Sequence, residues 1–356
     1  MDFIESCVED AGITRVLLLC KSHLDIGFTD YSSVVRSQYL EQYIPRIIRM
    51  SHQAEEGGKE NIVWCSGSYI AYEYWCSVKG SALQDFEEAL RKGVIGYHAL
   101  PFTSHSELYD ASLFASLLKD CRELDEVSGR RTRAAKMTDV PGHCCGIVPV
   151  LAAGGVEFLH LGINPASYVP EIPQFFRWRV QGHELTVMFA GTDYSADATL
   201  PDGRTRLVFM HGGDNSAPPS FGLIRQYFRE LRLRYPNAVV SMGSLEDLAD
   251  LVLPYRESFP VIESEIGDSW IHGLATDCVK TSRFRELLRF RRSHDGKELP
   301  REFDRQLAMT GEHTWGMDIK THLSDDEIWM RQDFDAARRT QANFVTVEKS
   351  WEEQRA

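Results

Sequence analysis

His23 and Asp25, two positions apart in the run KSHLDIGFTD (21–30), are a pair with the chemistry to hold a metal ion. In extended backbone, residues i and i+2 point the same way. A neutral imidazole beside a carboxylate suits a borderline divalent cation, zinc by default, with another divalent metal as the alternative. Read alone, the pair is equally a histidine next to a helix-starting acid. Gly27-Phe28 adds a tight turn and an aromatic face suited to a sugar ring. Asp139 ends an apolar run and leads into Val140-Pro141-Gly142-His143, so it serves either in a site or as a turn or N-cap residue. In HGGDN (211–215) the glycines either let backbone approach a ligand or make a plain turn before Asp214. A further segment carries Asp268, Trp270 and His272, and His313 stands in GEHTWGMD. Cys144-Cys145 has no assigned base and reads as buried thiols at a helix start.

What must position these groups is a series of short apolar runs alternating with helical patterns. Thr14–Cys20, Asn61–Gly67, Val94–Leu100, Ala134–Asp139, Phe158–Ile163, Leu207–Met210, Ala238–Met242 and Val261–Ile266 read as strands. Tyr31–Ala54 reads as a long helix starting near an Asp30 cap, with others near 71–77, 81–92, 111–127, 144–154, 220–234 and 244–253. Continuous apolar strands between helices imply a parallel α/β sheet or barrel. In such folds, chemistry collects at the carboxyl ends of the strands, where His23, Asp25, Asp139, His143, His211–Asn215 and Asp268–His272 fall. The alternating runs around Gln181-Gly182-His183 read as a hairpin inserted into this domain. From about residue 279 the pattern is helical, which divides the chain into a domain over 1–277 and a helical region over 278–356.

Composition narrows the partners. The 356 residues carry a net charge of −13, which disfavours nucleic acid and anionic membranes and is compatible with a neutral carbohydrate substrate. The acidic start, MDFIESCVEDAG, is unlike a signal peptide, and no run of 18 apolar residues occurs, so a cytoplasmic protein is expected. Eight cysteines without CxxC spacing fit reduced thiols, not a disulfide framework or thiolate metal site. Homo-oligomerisation is left open.

Taken in order, the motifs resemble those of the family 38 glycoside hydrolases, the zinc-dependent retaining α-mannosidases, in a divergent branch. KSHLDIGFTD resembles the family's first metal motif. MTDVPGHCCGIVPVLAAGGVEFLHLGIN (137–164) resembles its nucleophile segment, and HGGDN its acid/base segment. SEIGDSWIHGLATDCVKTSRFRELL (264–288) is similar to the run before the family's helical domain, and His313 stands where that domain returns a metal ligand. The resemblance implies a seven-stranded (β/α) barrel followed by a helix bundle. It implies zinc on His23, Asp25, Asp139 and His313, with Asp139 also the nucleophile that forms a glycosyl-enzyme and Asp214 the acid and then the base. Such a mechanism requires two carboxyls about 5–5.5 Å apart, one ionised and one protonated. Phe28, His143, Asp268, Trp270 and His272 are then the side chains placed to meet the sugar. The family's large β-sandwich domains are missing here, which implies a fragment or a minimal form.

This sequence departs from the family pattern at three places. Thr314 follows His313 where an aspartate that binds sugar hydroxyls is usual, Pro141 replaces an aromatic residue, and Ile271-His272-Gly273 lacks the expected arginine. Those departures touch sugar specificity and leave the metal and nucleophile positions intact. Because fold does not fix reaction, a metal-dependent carbohydrate deacetylase or lyase and a non-catalytic sugar-binding protein are the competing readings.

Overall fold

The computed structural model describes residues 11–56, 61–192, 194–268, 270, 277–294, 299–323, 328 and 330–356. Its strands are β1 (Arg15–His23), β2 (Trp64–Gly67), β3 (Ile95–His98), β4 (Ala134–Met137), β5 (Gly142–His143), β6 (Phe158–Leu161), β7 (Phe175–Val180), β8 (His183–Phe189), β9 (Ala198–Thr199), β10 (Thr205–Asp214), β11 (Val239–Gly243), β12 (Val261–Ile262) and β13 (Ile266–Gly267). One sheet runs β3-β2-β1-β10-β9, with β11 beside β1, and a second runs β12-β7-β8-β6-β4.

β1 is buried from Val16 onward, which is why it reads as an unbroken apolar run. β10 runs parallel along all of it, with Lys21 opposite His211. A bulge between Ser22 and His23 then brings His23 opposite Asp214. Such a bulge re-aims side chains at a strand end, here at the end that carries the candidate chemistry.

Strand periodicity sorts the core into two parts. Leu17 and Leu19, Ala134, Phe158, Met188, Leu207 and Phe209 gather in one inner cluster. Their alternates Leu18, Cys20, Ala135, Met137, Leu159, Leu161, Val187, Phe189, Val208 and Met210 join the larger core under the helices. The two sheets therefore face each other around an inner core, with helices outside. The expected closed seven-stranded barrel is not formed by hydrogen bonding among the described residues. A single backbone bond from Ala99 to Ala134 bridges the β3 and β4 edges. There the helix Leu245–Val252 touches both strands and contributes Leu245, Leu248, Ala249 and Val252 to the inner core, so side chains and not strand pairing seal that flank.

The expected inserted hairpin is instead part of the second sheet. β7 and β8 turn at Gln181-Gly182, with φ of 50° and 80°, as a tight two-residue hairpin requires. β8 then pairs parallel with β6, a non-local pairing that the local alternation does not reveal. The expected strand 261–266 divides into β12, on β7, and β13, antiparallel to β5.

The long helix forms as three continuous segments, Ser32–Gln38, a π-helical Tyr39–Tyr43 and Ile44–Glu56. Helices Cys278–Ser293, Arg301–Met309, Ile319–His322, Arg331–Thr340 and Ala342–Arg355 make up the last part of the chain. Arg305 ties it to the sheet-flanking helices through Glu73 (2.7 Å) and Asp120 (3.1 Å). No helix among the described residues is long and apolar enough to cross a membrane.

Candidate metal centre

His23 at the end of β1, Asp25 just past it, Asp139 two residues after β4 and His313 in the loop after helix Arg301–Met309 converge on one point. All four are buried, at 0%, 1%, 9% and 4% exposure. His23 Nε2 lies 3.1 Å from His313 Nε2, 3.1 Å from Asp25 Oδ1 and 3.6 Å from Asp139 Oδ2. His313 Nε2 lies 3.0 Å from Asp25 Oδ1 and 3.1 Å from Asp139 Oδ2. Ligands bound at about 2.0–2.2 Å around a tetrahedral ion stand roughly 3.3–3.6 Å apart. The cluster is thus close to the size of such a shell. Asp25 Oδ2, buried without a hydrogen-bond partner, is a further free donor atom. Two imidazoles and two carboxylates fit zinc and tolerate other divalent ions.

The surrounding residues orient these ligands in the manner of metal sites. His23 Nδ1 faces Thr138 Oγ1 at 3.2 Å, and His313 Nδ1 faces Glu312 Oε1 at 2.7 Å. Both Nε2 atoms are thereby turned inward. The Asp25 backbone N–H donates to Asn215 Oδ1 (3.0 Å), whose amide in turn donates to the Gly27 carbonyl (3.0 Å). The π-helical segment supplies Tyr39 and Tyr43, whose hydroxyls donate to Asn215 at 3.3 and 3.1 Å. Asp139 Oδ1 accepts from Asn164 Nδ2 (2.8 Å) and from the Tyr194 hydroxyl, which leaves Oδ2 for the cluster.

Backbone strain concentrates here. Among the described residues five non-glycines have positive φ, and four of them, Phe28 (63°), Asp139 (88°), Tyr194 (51°) and Asn215 (49°), surround the cluster. Strain held in place by tertiary contacts is typical of functional sites. Gly27, at φ 120°, takes a conformation closed to other residues.

Electrostatics divides the two catalytic candidates. Burial alone would raise the pKa of Asp139, yet His23 and His313 outweigh it and hold the carboxyl well below the usual range. Burial likewise opposes the protonated form of His313, and Glu312, Asp139 and Asp25 outweigh it, so its pKa lies well above the ordinary value. Asp214, exposed at the end of β10, moves the other way. Partial desolvation and repulsion from Asp25 and Asp139 raise its pKa.

The residues expected to meet substrate divide in position. Phe28 is half-buried beside the metal loop, bonded through its backbone to Gly316 and Asp318. Trp270 has its ring 6.1 Å from that of His313 and 5.8 Å from that of His105. His143 is buried in β5 with neither ring nitrogen bonded, and burial together with His105 pushes its pKa down to about 3. Asp268 is exposed next to β13, and His272 lies outside the described residues. The Thr314 hydroxyl, with its single proton, is shared between the Ile26 carbonyl (3.1 Å) and the Glu312 carboxylate.

Sequence reasoning misses Tyr194, Asn164, Thr138, Glu312 and His105. Thr138 and Glu312 stand next to Asp139 and His313 inside quoted motifs, and Asn164 is only the last residue of one. Tyr194 sits in a polar loop with no spacing signal at all.

The fold can now be compared with solved proteins. An α-mannosidase from Enterococcus faecalis superposes with a TM-score of 0.65 at 12% identity, over 96% of this chain and 42% of that one. A protein of glycosyl hydrolase family 38 from the same organism gives 0.55 at 8%, over 96% and 40%. The chain has the fold of the family 38 glycoside hydrolases. It spans about two fifths of the length of those two proteins. The α-amylase AmyC from Thermotoga maritima gives 0.50 at 9%, over 96% of this chain and 92% of that one. Residues 274–356 match a family described as a domain of unknown function (DUF5054). No curated protein matches the chain.

Proposed function

We propose that the chain is a metal-dependent retaining glycoside hydrolase, α-mannosidase-like, that cleaves an α-linked sugar through a covalent glycosyl-aspartate. The observation that carries this reading is the convergence of four buried ligands, one from a strand end, two from the following loops and one from a helical region 290 residues further on. A sheet domain ending near residue 277 and a helical region from 278 would then build the site jointly.

A divalent cation, zinc by default, held by His23, Asp25, Asp139 and His313 would polarise and orient sugar hydroxyls when bound. Asp139, kept ionised and clamped through Oδ1 by Asn164 and Tyr194, attacks the anomeric carbon as the bond to the leaving oxygen breaks. Asp214, its proton held by a raised pKa, gives that proton to the leaving oxygen and then takes one from the water that releases the sugar. Phe28 and Trp270 offer aromatic faces at the rim; His143, Asp268 and His272 complete the proposed contacts. Because Thr314 is committed to Ile26 and Glu312, the hydroxyl contact that the family's aspartate makes is absent. Mannose itself is therefore an open choice among α-linked sugars.

The test is elemental analysis of the purified protein together with a panel of nitrophenyl α-glycosides. A bound transition metal and turnover with retention of configuration are expected. A protein that carries no metal and gains no activity when metal is added contradicts the reading. Acetate release with intact glycosidic linkages points to a deacetylase, and sugar affinity without turnover to a binding protein.

A further inference from the structure

Asp139 and Asp214 are held in opposite ways. Asp139 is clamped through its own side chain by Asn164 and Tyr194. No side chain holds the Asp214 carboxylate among the described residues. Where it stands is therefore set by its backbone, and the next residue, Asn215, pins that backbone.

Asn215 is 4% exposed and uses every hydrogen-bonding group it has. Its backbone N–H donates to the His23 carbonyl (3.0 Å), and its own carbonyl accepts from the Tyr43 hydroxyl (3.1 Å). Its amide oxygen accepts from the Asp25 N–H (3.0 Å) and faces the Tyr39 hydroxyl (3.3 Å), which also faces the His23 carbonyl (3.4 Å). Its amide nitrogen donates to the Gly27 carbonyl and to Thr29 Oγ1, both at 3.0 Å. The Asp25 N–H can only donate and the Gly27 carbonyl can only accept, so the amide orientation is fixed. The turn Gly213–Ser216 is closed by the Ser216 N–H on the Gly213 carbonyl (3.0 Å), with Asn215 at its third position and a φ of 49°. Positive φ at that position favours glycine or asparagine, and of the two only asparagine brings an amide. An aspartate would have no donor for Gly27 or Thr29. One side chain thus ties the strand that ends in Asp214 to the loop that carries Asp25.

We infer that Asn215 is a positioning residue that sets Asp214 against the metal loop 25–29, so that the two arms of the site are fixed by one anchor. The inference rests on the hydrolase reading above. It adds that metal ligation by Asp25 and proton delivery by Asp214 depend on the same buried amide, apart from the clamp on Asp139. The π-helical segment serves that anchor through Tyr39 and Tyr43.

The experiment compares the unaltered full-length protein with two variants. Asn215→Gly keeps the left-handed backbone and removes the amide, and Tyr43→Phe removes one bond to the Asn215 carbonyl. Three quantities are read: zinc affinity by calorimetry, the absorption spectrum of the cobalt-loaded protein, and kcat/KM across aryl α-glycosides of graded leaving-group acidity. Asn215→Gly is expected to bind zinc about 10–100-fold more weakly, with an altered cobalt spectrum. Poor leaving groups, which need the acid, are expected to lose about 10²-fold more than dinitrophenyl ones, which do not. Tyr43→Phe is expected to shift both quantities the same way by about two- to tenfold, and this milder variant decides the question if Asn215→Gly does not fold. A lowered Tm with zinc affinity and leaving-group dependence unchanged overturns the inference, because a merely structural residue would do the same. A change in only one of the two separates the metal loop from Asp214 and also overturns it. Both of these failures leave the metal-dependent hydrolase standing. Unaltered protein that binds neither zinc nor cobalt and turns over no glycoside overturns the proposed function, and the inference with it.

Discussion

The floor and the rim of the site are built differently. The floor, His23, Asp25, Asp139 and His313, is buried, and each member is gripped by at least one further side chain or backbone contact. At the rim, Asp214 and Asp268 are exposed, and Phe28 and Trp270 are half-buried. The departures from the family pattern at Pro141, Thr314 and the segment after Trp270 do not replace any floor residue. A floor held by mutual contacts tolerates little change, because removing one ligand strands buried charge on the others. A rim touching solvent can change one residue at a time, and with it the proposed sugar specificity.

The sharpest way to break this contrast is at the floor. Asp139→Asn keeps the shape of the side chain and removes the charge of the proposed nucleophile. Turnover of an aryl glycoside should fall by about 10⁴-fold or more, with zinc affinity reduced as well. Near-normal kcat in this variant would overturn both roles assigned to Asp139.

Asp214→Asn touches the rim and should do less, about 10²–10⁴-fold in kcat for a poor leaving group. With an activated nitrophenyl leaving group, which needs little protonation, the first step should be nearly spared. The pH profile supplies a second check. The raised pKa of Asp214 keeps the acid form to higher pH, so activity should fall as pH rises through that pKa. In the variant this alkaline limb should vanish; if it persists, another group is the acid.

These two carboxylates also show how far the sequence could be read. β1, β4 and β10 are legible because strands buried on both faces appear as short, mainly apolar runs, broken in β4 by Lys136, and their carboxyl ends mark His23, Asp139 and Asp214 in advance. His313 is legible only through resemblance, since nothing local in GEHTWGMD announces a partner 290 residues away. Closure of the sheets and the true place of the β7–β8 hairpin depend on pairings between distant strands, which local periodicity does not encode. Tyr194 and Asn164 are invisible because a clamp on Asp139 requires only a donor at the right point, and many residue types and positions in a loop could supply it.

A smaller effect is expected from Thr314→Asp, which restores the family's residue type at the edge of the floor. If the position faced the sugar, affinity for α-mannosides would improve. The structure argues otherwise: the new carboxylate would replace a hydroxyl shared between Glu312 and the Ile26 carbonyl. Two buried carboxylates would then face each other, and one donor would be lost. The expected outcome is a destabilisation of about 1–3 kcal/mol by denaturant titration, with no gain in mannoside affinity. A gain in affinity at unchanged stability would place position 314 on the rim.

The mildest prediction concerns what holds floor and rim together. Helix Ala342–Arg355 lies against both site loops. Glu353 accepts from the backbone N–H groups of Ser32 (2.8 Å) and Ser33 (3.2 Å), Gln354 donates to the Ile26 carbonyl (3.1 Å), and Ser350 accepts from Met317 N–H (2.9 Å). Glu353 thus does the work of an N-cap for the helix that begins at Ser32, a role that Asp30 was expected to play; Asp30 instead accepts from Tyr31 N–H at 2.7 Å. Removing such a cap costs about 1 kcal/mol. Glu353→Ala should therefore lower Tm by a few degrees and leave kcat at saturating metal unchanged, because no reacting atom loses a contact. Zinc affinity should weaken slightly, since the loop carrying Asp25 and Phe28 is anchored between β1 and that helix. If kcat falls instead while zinc affinity holds, the helix positions the rim, and the division between a fixed floor and an adjustable rim would have to be redrawn through residues 26–31.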